Sequence, residues 1–181
     1  MPKILDSLVE DHARMTRILD LLEAEITVDD SLGGPDFHVI ARILDYFLSF
    51  PDLCHHPKED MVFRALEKRD PAAASRVGDL VAEHSKLASV VHKLSFTATR
   101  TALGDDRADG DWFMSMSRSL LETHRHHMKM EDLHFFPVAE QLLTDDDWRD
   151  IEDHLMTYDE CFRCPETKAR LDAQFQALFE Q

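Results

Sequence analysis

The chain has 181 residues, the usual size of a single domain with a self-sufficient core. It carries 20 Lys+Arg against 36 Asp+Glu, a net charge of −16, which repels phosphate backbones and anionic lipid headgroups. Five glycines and seven prolines are too few for a sheet of many strands, and 44% apolar residues are too many for a disordered chain. The composition therefore excludes nucleic acid and membrane surfaces as partners and indicates a mostly helical globular protein.

The first residues lack the apolar core of a signal peptide, and no stretch of about 18 apolar residues occurs in the chain. We therefore expect a cytoplasmic protein. The three cysteines are an odd number, and Cys161 and Cys164 are only three positions apart. A disulfide framework needs paired cysteines, and a zinc site would need a second pair at this spacing. We expect reduced thiols with no part in a site.

Spacings of three and four between apolar residues predict a first amphipathic helix over residues 5–26. His12 occupies one position of its apolar stripe and should face the core. A second helix is predicted over residues 40–70. Pro51 and Pro57 fall inside it and should kink or interrupt it, because proline lacks the N–H that the helix needs and displaces a carbonyl.

A third helix is predicted to open at Asp70-Pro71, where the aspartate caps the helix and proline takes its first position. Its apolar stripe includes His84. A fourth helix follows the loop at residues 104–110 and should end or kink at Pro137. The inward face of this helix turns polar toward its carboxyl end, where it carries His124, His127 and Glu131.

A shift of 72 residues superposes the first half of this helical region on the second. The coincident pairs include His12/His84, His55/His127, Glu59/Glu131, Asp60/Asp132 and Phe63/Phe135. The repeat predicts an all-α fold, an antiparallel up-down four-helix bundle built from two similar helical hairpins. The bundle should span residues 1–140. Residues 141–181 should form a helical carboxyl-terminal extension packed on it within the same domain.

His55 and Glu59 are four residues apart, as are His127 and Glu131, so each pair lies on one face of its helix. Buried charge must be paired or bind a metal. Four imidazoles and two carboxylates are too many for one tetrahedral zinc and suit two bridged six-coordinate ions. Two non-haem irons are the first interpretation, and a zinc or a single iron is the alternative.

Other histidines of this region are expected to lie outside the ligand set. His56, His126 and His134 adjoin the ligands in sequence but should point elsewhere on their helices. His124 shares the face of His127 and is compatible with a ligand or with a supporting role. A ferritin-like centre is disfavoured because it needs two Glu-x-x-His motifs, and only Glu131-x-x-His134 is present. Asp60 and Asp132 are candidates to orient the ligand imidazoles.

The motifs of this chain resemble those of the hemerythrin-like (HHE cation-binding) domains over residues 4–140. The resemblance is carried by Asp11-His12, by His55-His56-Pro57-Lys58-Glu59-Asp60 with Phe63, by Glu83-His84, and by His127-Met128-Lys129-Met130-Glu131-Asp132 with Phe135 and Pro137. It implies a four-helix bundle with a di-iron site. The implied ligands are His12 and His55 for one iron and His84 and His127 for the other, with Glu59 and Glu131 as bridges.

The sequence departs from the respiratory hemerythrins at Ala88, where those proteins have a further histidine ligand. Each iron would then have five ligands and an open position for a small molecule. The resemblance implies binding of O2, peroxide or NO, with catalase-like peroxide turnover or nitrogen oxide chemistry as the enzyme form. The alternative is a non-catalytic sensor of oxygen, iron or redox state, or an iron-binding module. A monomer and a homodimer are both compatible with the sequence.

Overall fold

The computed structural model describes residues 2–29, 31, 33–105, 109–158 and 164–180. Within these ranges the chain contains helices and no strand, which confirms the all-α prediction. Two short π-helical turns, Pro51–His55 and Glu131–Phe135, join α2 to α3 and α6 to α7. The α-helices are α1 Lys3–Ile26, α2 Phe37–Phe47, α3 His56–Arg69, α4 Pro71–Val77, α5 Leu80–Ala102, α6 Gly110–Met130, α7 Phe136–Leu142, α8 Asp145–Tyr158 and α9 Pro165–Ala177.

The long helices contact one another in a closed order. Helix α2 packs on α5, α5 on α6, α6 on α1, and α1 on α2. The apolar side chains between them form one large cluster, represented by Leu22, Ile43, Leu94 and Phe113. These four residues come from the four helices and are inaccessible to solvent. Burial of this face is the main favourable contribution to the fold.

A second apolar cluster lies where α1, α3, α7 and α8 meet. Leu5, Leu66, Phe135 and Leu155 represent it. Four helical stretches carry the predicted metal-binding positions: α1, α2 to α3, α4 to α5, and α6 to α7. In each stretch these positions fall in sequence between residues of the first cluster and residues of the second. A candidate site at this level is therefore enclosed by apolar side chains on both sides.

The two π-helical turns have the same local cause. Pro57 and Pro137 each follow the end of such a turn by two residues. A proline has no N–H to donate, and its ring displaces the carbonyl four residues earlier, which belongs to Leu53 or Leu133 inside the turn. The chain adopts a wider turn at this point, so the predicted interruptions near Pro57 and Pro137 are both observed.

The predicted third helix is divided into α4 and α5. Gly78 separates them with a φ of 107°, a backbone conformation that side-chain-bearing residues rarely adopt. Asp79 then caps α5, because its side chain accepts a hydrogen bond from the Ala82 N–H. The break was not predicted because the apolar residues keep their helical spacing across it.

We expect the cap of α5 to contribute measurably to stability. Asp79→Ala removes the acceptor for the Ala82 N–H, and a lost cap of this kind costs about 1 kcal/mol. Urea unfolding followed by circular dichroism should show a lower midpoint with an unchanged slope. Asp111→Ala, an exposed acid in the first turn of α6 that does not serve as its cap, is the control and should change the midpoint less.

The carboxyl-terminal helix α9 packs on the first apolar cluster through Leu171 and Phe175. Arg14 of α1 holds it in place. The Arg14 guanidinium donates to Asp172 at 2.5 Å and lies 4.4 Å from the centre of the Phe175 ring and 4.7 Å from that of Phe50. This combination of ion pair and cation–π contacts ties α9 to α1 and to the residue that precedes the first π-helical turn.

The cysteines differ from the expectation of three reduced thiols. Cys54 is buried and disulfide-bonded, so the expectation is wrong for this residue. Cys164 is free, and its thiol donates to the Glu166 carboxylate. Cys161, the other member of the predicted thiol pair, lies outside the described residues. Among the helices that the structure describes, none combines the length and the apolar character needed to cross a membrane.

Candidate metal centre

Six side chains predicted as metal ligands are all buried, the most accessible being His84 at 8% exposure. They come from six different elements of the fold, so the cluster exists only when the helices are packed. The two glutamates are the most deeply buried of the six, at 0% and 1% exposure. The structure brings the whole set together: His12 of α1, His55 of the first π-helical turn, Glu59 of α3, His84 of α5, His127 of α6 and Glu131 of the second π-helical turn.

The first half of the cluster is formed by His12 and His55. Their Nε2 atoms are 3.2 Å apart. The Nε2 atom of His12 lies 3.3 Å from Oε2 of Glu131, and the Nε2 atom of His55 lies 3.4 Å from Oε2 of Glu59. Two imidazole nitrogens and two carboxylate oxygens therefore converge on one point.

The second half is formed by His84 and His127. The Nε2 atom of His127 lies 3.0 Å from Oε1 of Glu131. The Nε2 atom of His84 lies 3.3 Å from Oε2 of Glu59 and 3.6 Å from Oε1 of Glu131. Both carboxylates thus contact histidines of both halves, as side chains that join two ions must.

The hydrogen bonding of the cluster indicates that it is built for a cation. All four carboxylate oxygens of Glu59 and Glu131 are buried without a hydrogen-bond partner, and so is Nε2 of His84. Unpartnered buried polar atoms of this kind cost free energy, and buried carboxylates cost most. Imidazole nitrogen with carboxylate oxygen is a donor set that suits iron, zinc and related transition metals. The residues present therefore fit a metal centre.

The carboxylates also set the protonation of the histidines. Burial disfavours the charged imidazole, but the nearby carboxylates outweigh it and raise the pKa of His12 to about 9 and that of His84 to about 10. The pKa of the Glu131 carboxyl is lowered despite its burial, because His12, His127 and His84 surround it. In the metal-free cluster the Glu131 carboxylate is therefore ionised and the His12 and His84 imidazoles are protonated, whereas burial lowers the pKa of His55.

We expect metal binding to tighten as the pH rises. A metal binds neutral imidazole, and below about pH 9 both His12 and His84 carry a proton that must leave. Each displaced proton changes the binding constant about tenfold per pH unit, so the overall constant should rise up to about 100-fold per unit. Competition of Zn²⁺ between the chain and a chelator, measured at about pH 6, 7 and 8, tests this. A constant that is independent of pH after correction for the chelator would contradict it.

Three of the four predicted histidine ligands have a carboxylate partner at Nδ1, the ring nitrogen that is not directed at the cluster. Nδ1 of His12 donates to Asp132 at 2.9 Å, and Nδ1 of His127 donates to Glu83 at 2.9 Å. Nδ1 of His55 lies 3.4 Å from Asp11. A metal-bound histidine commonly has such a partner, which fixes its ring and tautomer.

These partners were only partly predicted. The role expected for Asp132 agrees with its hydrogen bond, whereas Asp60 makes none to a histidine among the residues that the structure describes. Asp11 and Glu83 were missed, although they are related by the same 72-residue shift as the ligands. Comparing the charged residues at equivalent positions of the repeat would have found both.

Lys58 is buried, with 5% exposure, although no role was predicted for it from the sequence. Its ammonium group bonds to Asp11 and donates to the Ser7 hydroxyl at 2.9 Å. Asp11 in turn faces His55, so Lys58 is a positioning residue that holds the carboxylate against this imidazole. The Lys58 charge also contributes to keeping the pKa of Asp11 low despite burial.

Three other histidines adjoin the predicted ligands in sequence and differ in burial. His126 and His134 are exposed, as expected. His124 is buried against Phe47 and His127, its Nδ1 has no partner, and burial lowers its pKa to about 3. It stays neutral and belongs to none of the candidate metal-binding groups.

His56 contradicts the expectation that it faces away from the site. Its ring stacks on that of His84, with centroids 3.9 Å apart, and it forms a candidate metal-binding group with His84 and Glu59. The expectation assumed regular α-helical geometry. The π-helical turn that ends at His55 alters the directions of the residues at its end.

Comparison with protein families agrees with this geometry. The family model described as the hemerythrin HHE cation binding domain matches residues 3–139, so the chain belongs to the hemerythrin HHE family. The predicted membership is thereby confirmed, and the buried histidine and glutamate clusters fit cation binding. Comparison with curated proteins and with solved structures gave no match.

Proposed function

We propose that this chain is a non-haem di-iron protein that binds small oxidants, built as an antiparallel four-helix bundle of two similar hairpins. His12 and His55 hold one iron, and His84 and His127 hold the other. Glu59 and Glu131 bridge the two ions. Family membership and the enclosed position of the cluster between two apolar clusters support this proposal.

The geometry of Glu131 carries the proposal. Its Oε2 atom faces His12 and its Oε1 atom faces His127, at 3.3 Å and 3.0 Å, so the two oxygens of one carboxylate are aimed at two separate histidine sets. A single tetrahedral ion would leave part of this buried donor set without a partner. Two bridged ions would give both carboxylates and every Nε2 atom of the set a ligand role.

A cavity adjoins this cluster. Its volume is about 590 Å³, and its lining includes His127 and Glu131 together with apolar Leu80 and Val138 and polar Arg76 and His126. A space of this size admits dioxygen, peroxide or nitric oxide together with water.

Iron held by such ligands supplies redox chemistry with small oxidants. The protein's own contribution is to fix the donor atoms before binding, to exclude bulk water, and to hold ionised carboxylates where positive charge must be balanced. We propose peroxide disproportionation, in which two H2O2 give two H2O and one O2, as the enzyme form. A sensor or carrier uses the same ligands without net turnover.

Oxygen evolution from hydrogen peroxide by the iron-loaded protein tests this reaction. We expect O2 release that depends on iron and falls at least tenfold in His127→Leu, because that variant removes a ligand beside the cavity. His38→Leu, which changes an exposed histidine of α2 outside the cavity lining, should leave the rate unchanged. A reversible spectral change with O2 and no oxygen evolution would overturn the catalytic proposal in favour of the sensor or carrier.

A further inference from the structure

We infer that His56 is a fifth histidine ligand of the metal centre, at the position held by His84 and His127. Asp52 is then its positioning residue. The inference builds on the proposed di-iron function and adds a residue to it. It makes the two metal positions unequal, with two histidines at one and three at the other.

Proximity is the first argument. The ligand atoms of His56, Glu59 and His84 all lie within 4.8 Å of one another. Two ligands of one ion at about 2.1 Å are roughly 3 to 4 Å apart, so small side-chain adjustments bring these three atoms onto a common ion. The rings of His56 and His84 are stacked with an interplanar angle of 15°, so His56 lies directly against a ligand, with 17% of its side chain exposed.

The second argument is the hydrogen bond on the far side of the ring. Nδ1 of His56 donates to the Asp52 carboxylate at 2.9 Å, the same distance as between His127 and Glu83. This bond selects the tautomer in which Nε2 is the metal-binding nitrogen. His56 therefore has a carboxylate partner at Nδ1, as His12, His55 and His127 have.

The backbone explains why two consecutive residues contribute to one centre. In a regular α-helix neighbouring side chains diverge by about 100°, and His55 and His56 would face different directions. Here the His56 N–H bonds to the Pro51 carbonyl, the longer-range bond of a π-helical turn. Turns of this kind are frequent at functional sites because they redirect side chains.

The internal repeat has a histidine at the His56 position in its first half only. The residue related to His56 by the 72-residue shift is Met128, which is buried in the first apolar cluster. The His12 side of the centre has therefore no counterpart to His56. The inequality of the two metal positions follows from this one substitution within the repeat.

Metal binding by His56→Leu tests the inference, with His126→Leu as the matched control because it changes an exposed histidine that also adjoins a proposed ligand. In an anaerobic titration with Fe²⁺ we expect the wild type and the control to bind two ions. His56→Leu should bind the first ion normally and the second at least tenfold more weakly. Circular dichroism of the metal-free variants checks that both are folded.

A second readout does not depend on affinity. In the Co²⁺-loaded protein, each metal-bound imidazole gives one strongly shifted, exchangeable N–H proton resonance. We expect five in the wild type and in His126→Leu, and four in His56→Leu. Two ions bound by the wild type with four such resonances, and identical titrations for the two variants, would overturn the role of His56 and leave the di-iron proposal standing. Fewer than two ions bound by the wild type would overturn the di-iron proposal itself.

Discussion

Replacing both bridging carboxylates in a Glu59→Ala/Glu131→Ala variant is expected to reduce bound metal from about two ions per chain to none. Each glutamate contacts histidines of both halves of the cluster, so its loss affects both metal positions at once. It also removes the negative charge that offsets two cations in a buried, low-dielectric site. Metal analysis of protein purified from iron-supplemented cells measures the effect.

The control for this experiment is Glu67→Ala/Glu122→Ala, which removes two exposed glutamates from α3 and α6 and leaves the cluster intact. This variant should retain both ions. The metal-free double variant at Glu59 and Glu131 should remain helical, because the two apolar clusters are untouched. If Glu59→Ala/Glu131→Ala retains nearly all of its metal, the result contradicts a bridged pair. It would then support a structural zinc or a single iron bound by histidines alone.

Metal removal is expected to lower the thermal unfolding midpoint by about 10 °C. Ions that bind only the folded chain stabilise it by about 4 kcal/mol when their free concentration is 1,000 times the dissociation constant. For a chain of this size each kcal/mol corresponds to about 2–4 °C. The effect arises at the cluster because folding buries Glu59 and Glu131 without hydrogen-bond partners unless a cation is bound.

Differential scanning calorimetry of the loaded and the metal-free protein measures this shift. The Glu59→Ala/Glu131→Ala variant provides the comparison, since its midpoint should not respond to added metal. Equal midpoints for the loaded and the metal-free wild type would show that the cluster is stable without a cation. The orphaned carboxylate oxygens would then need another explanation.

The core-facing histidines could be predicted from the sequence because they occupy positions of a regular helical stripe. His12 and His84 interrupt apolar rows at the helical spacing, and both are buried in the structure. The 72-residue repeat then connected helices that are far apart in the chain. Periodicity within each helix and repetition between hairpins together identified the six residues that the structure brings into one cluster.

What escaped prediction depends on local departures from regular helices. His56 was placed on the wrong face because the spacing rule assumes a constant turn, and the turn ending at His55 is wider. The break at Gly78 was missed for a related reason, since one glycine with a positive φ divides the helix without disturbing its apolar stripe. Lys58 was missed because a lysine beside a ligand is usually solvated, and only tertiary packing shows its contact with Asp11.

The metal content and absorption spectrum of the chain, isolated from iron-supplemented cells, test the central claim most directly. The spectrum is recorded before and after addition of azide. A bridged pair with an accessible position predicts about two irons per chain and near-ultraviolet bands that shift when azide binds. Zinc alone, a single iron, or a chain without metal or absorption bands would contradict the di-iron account.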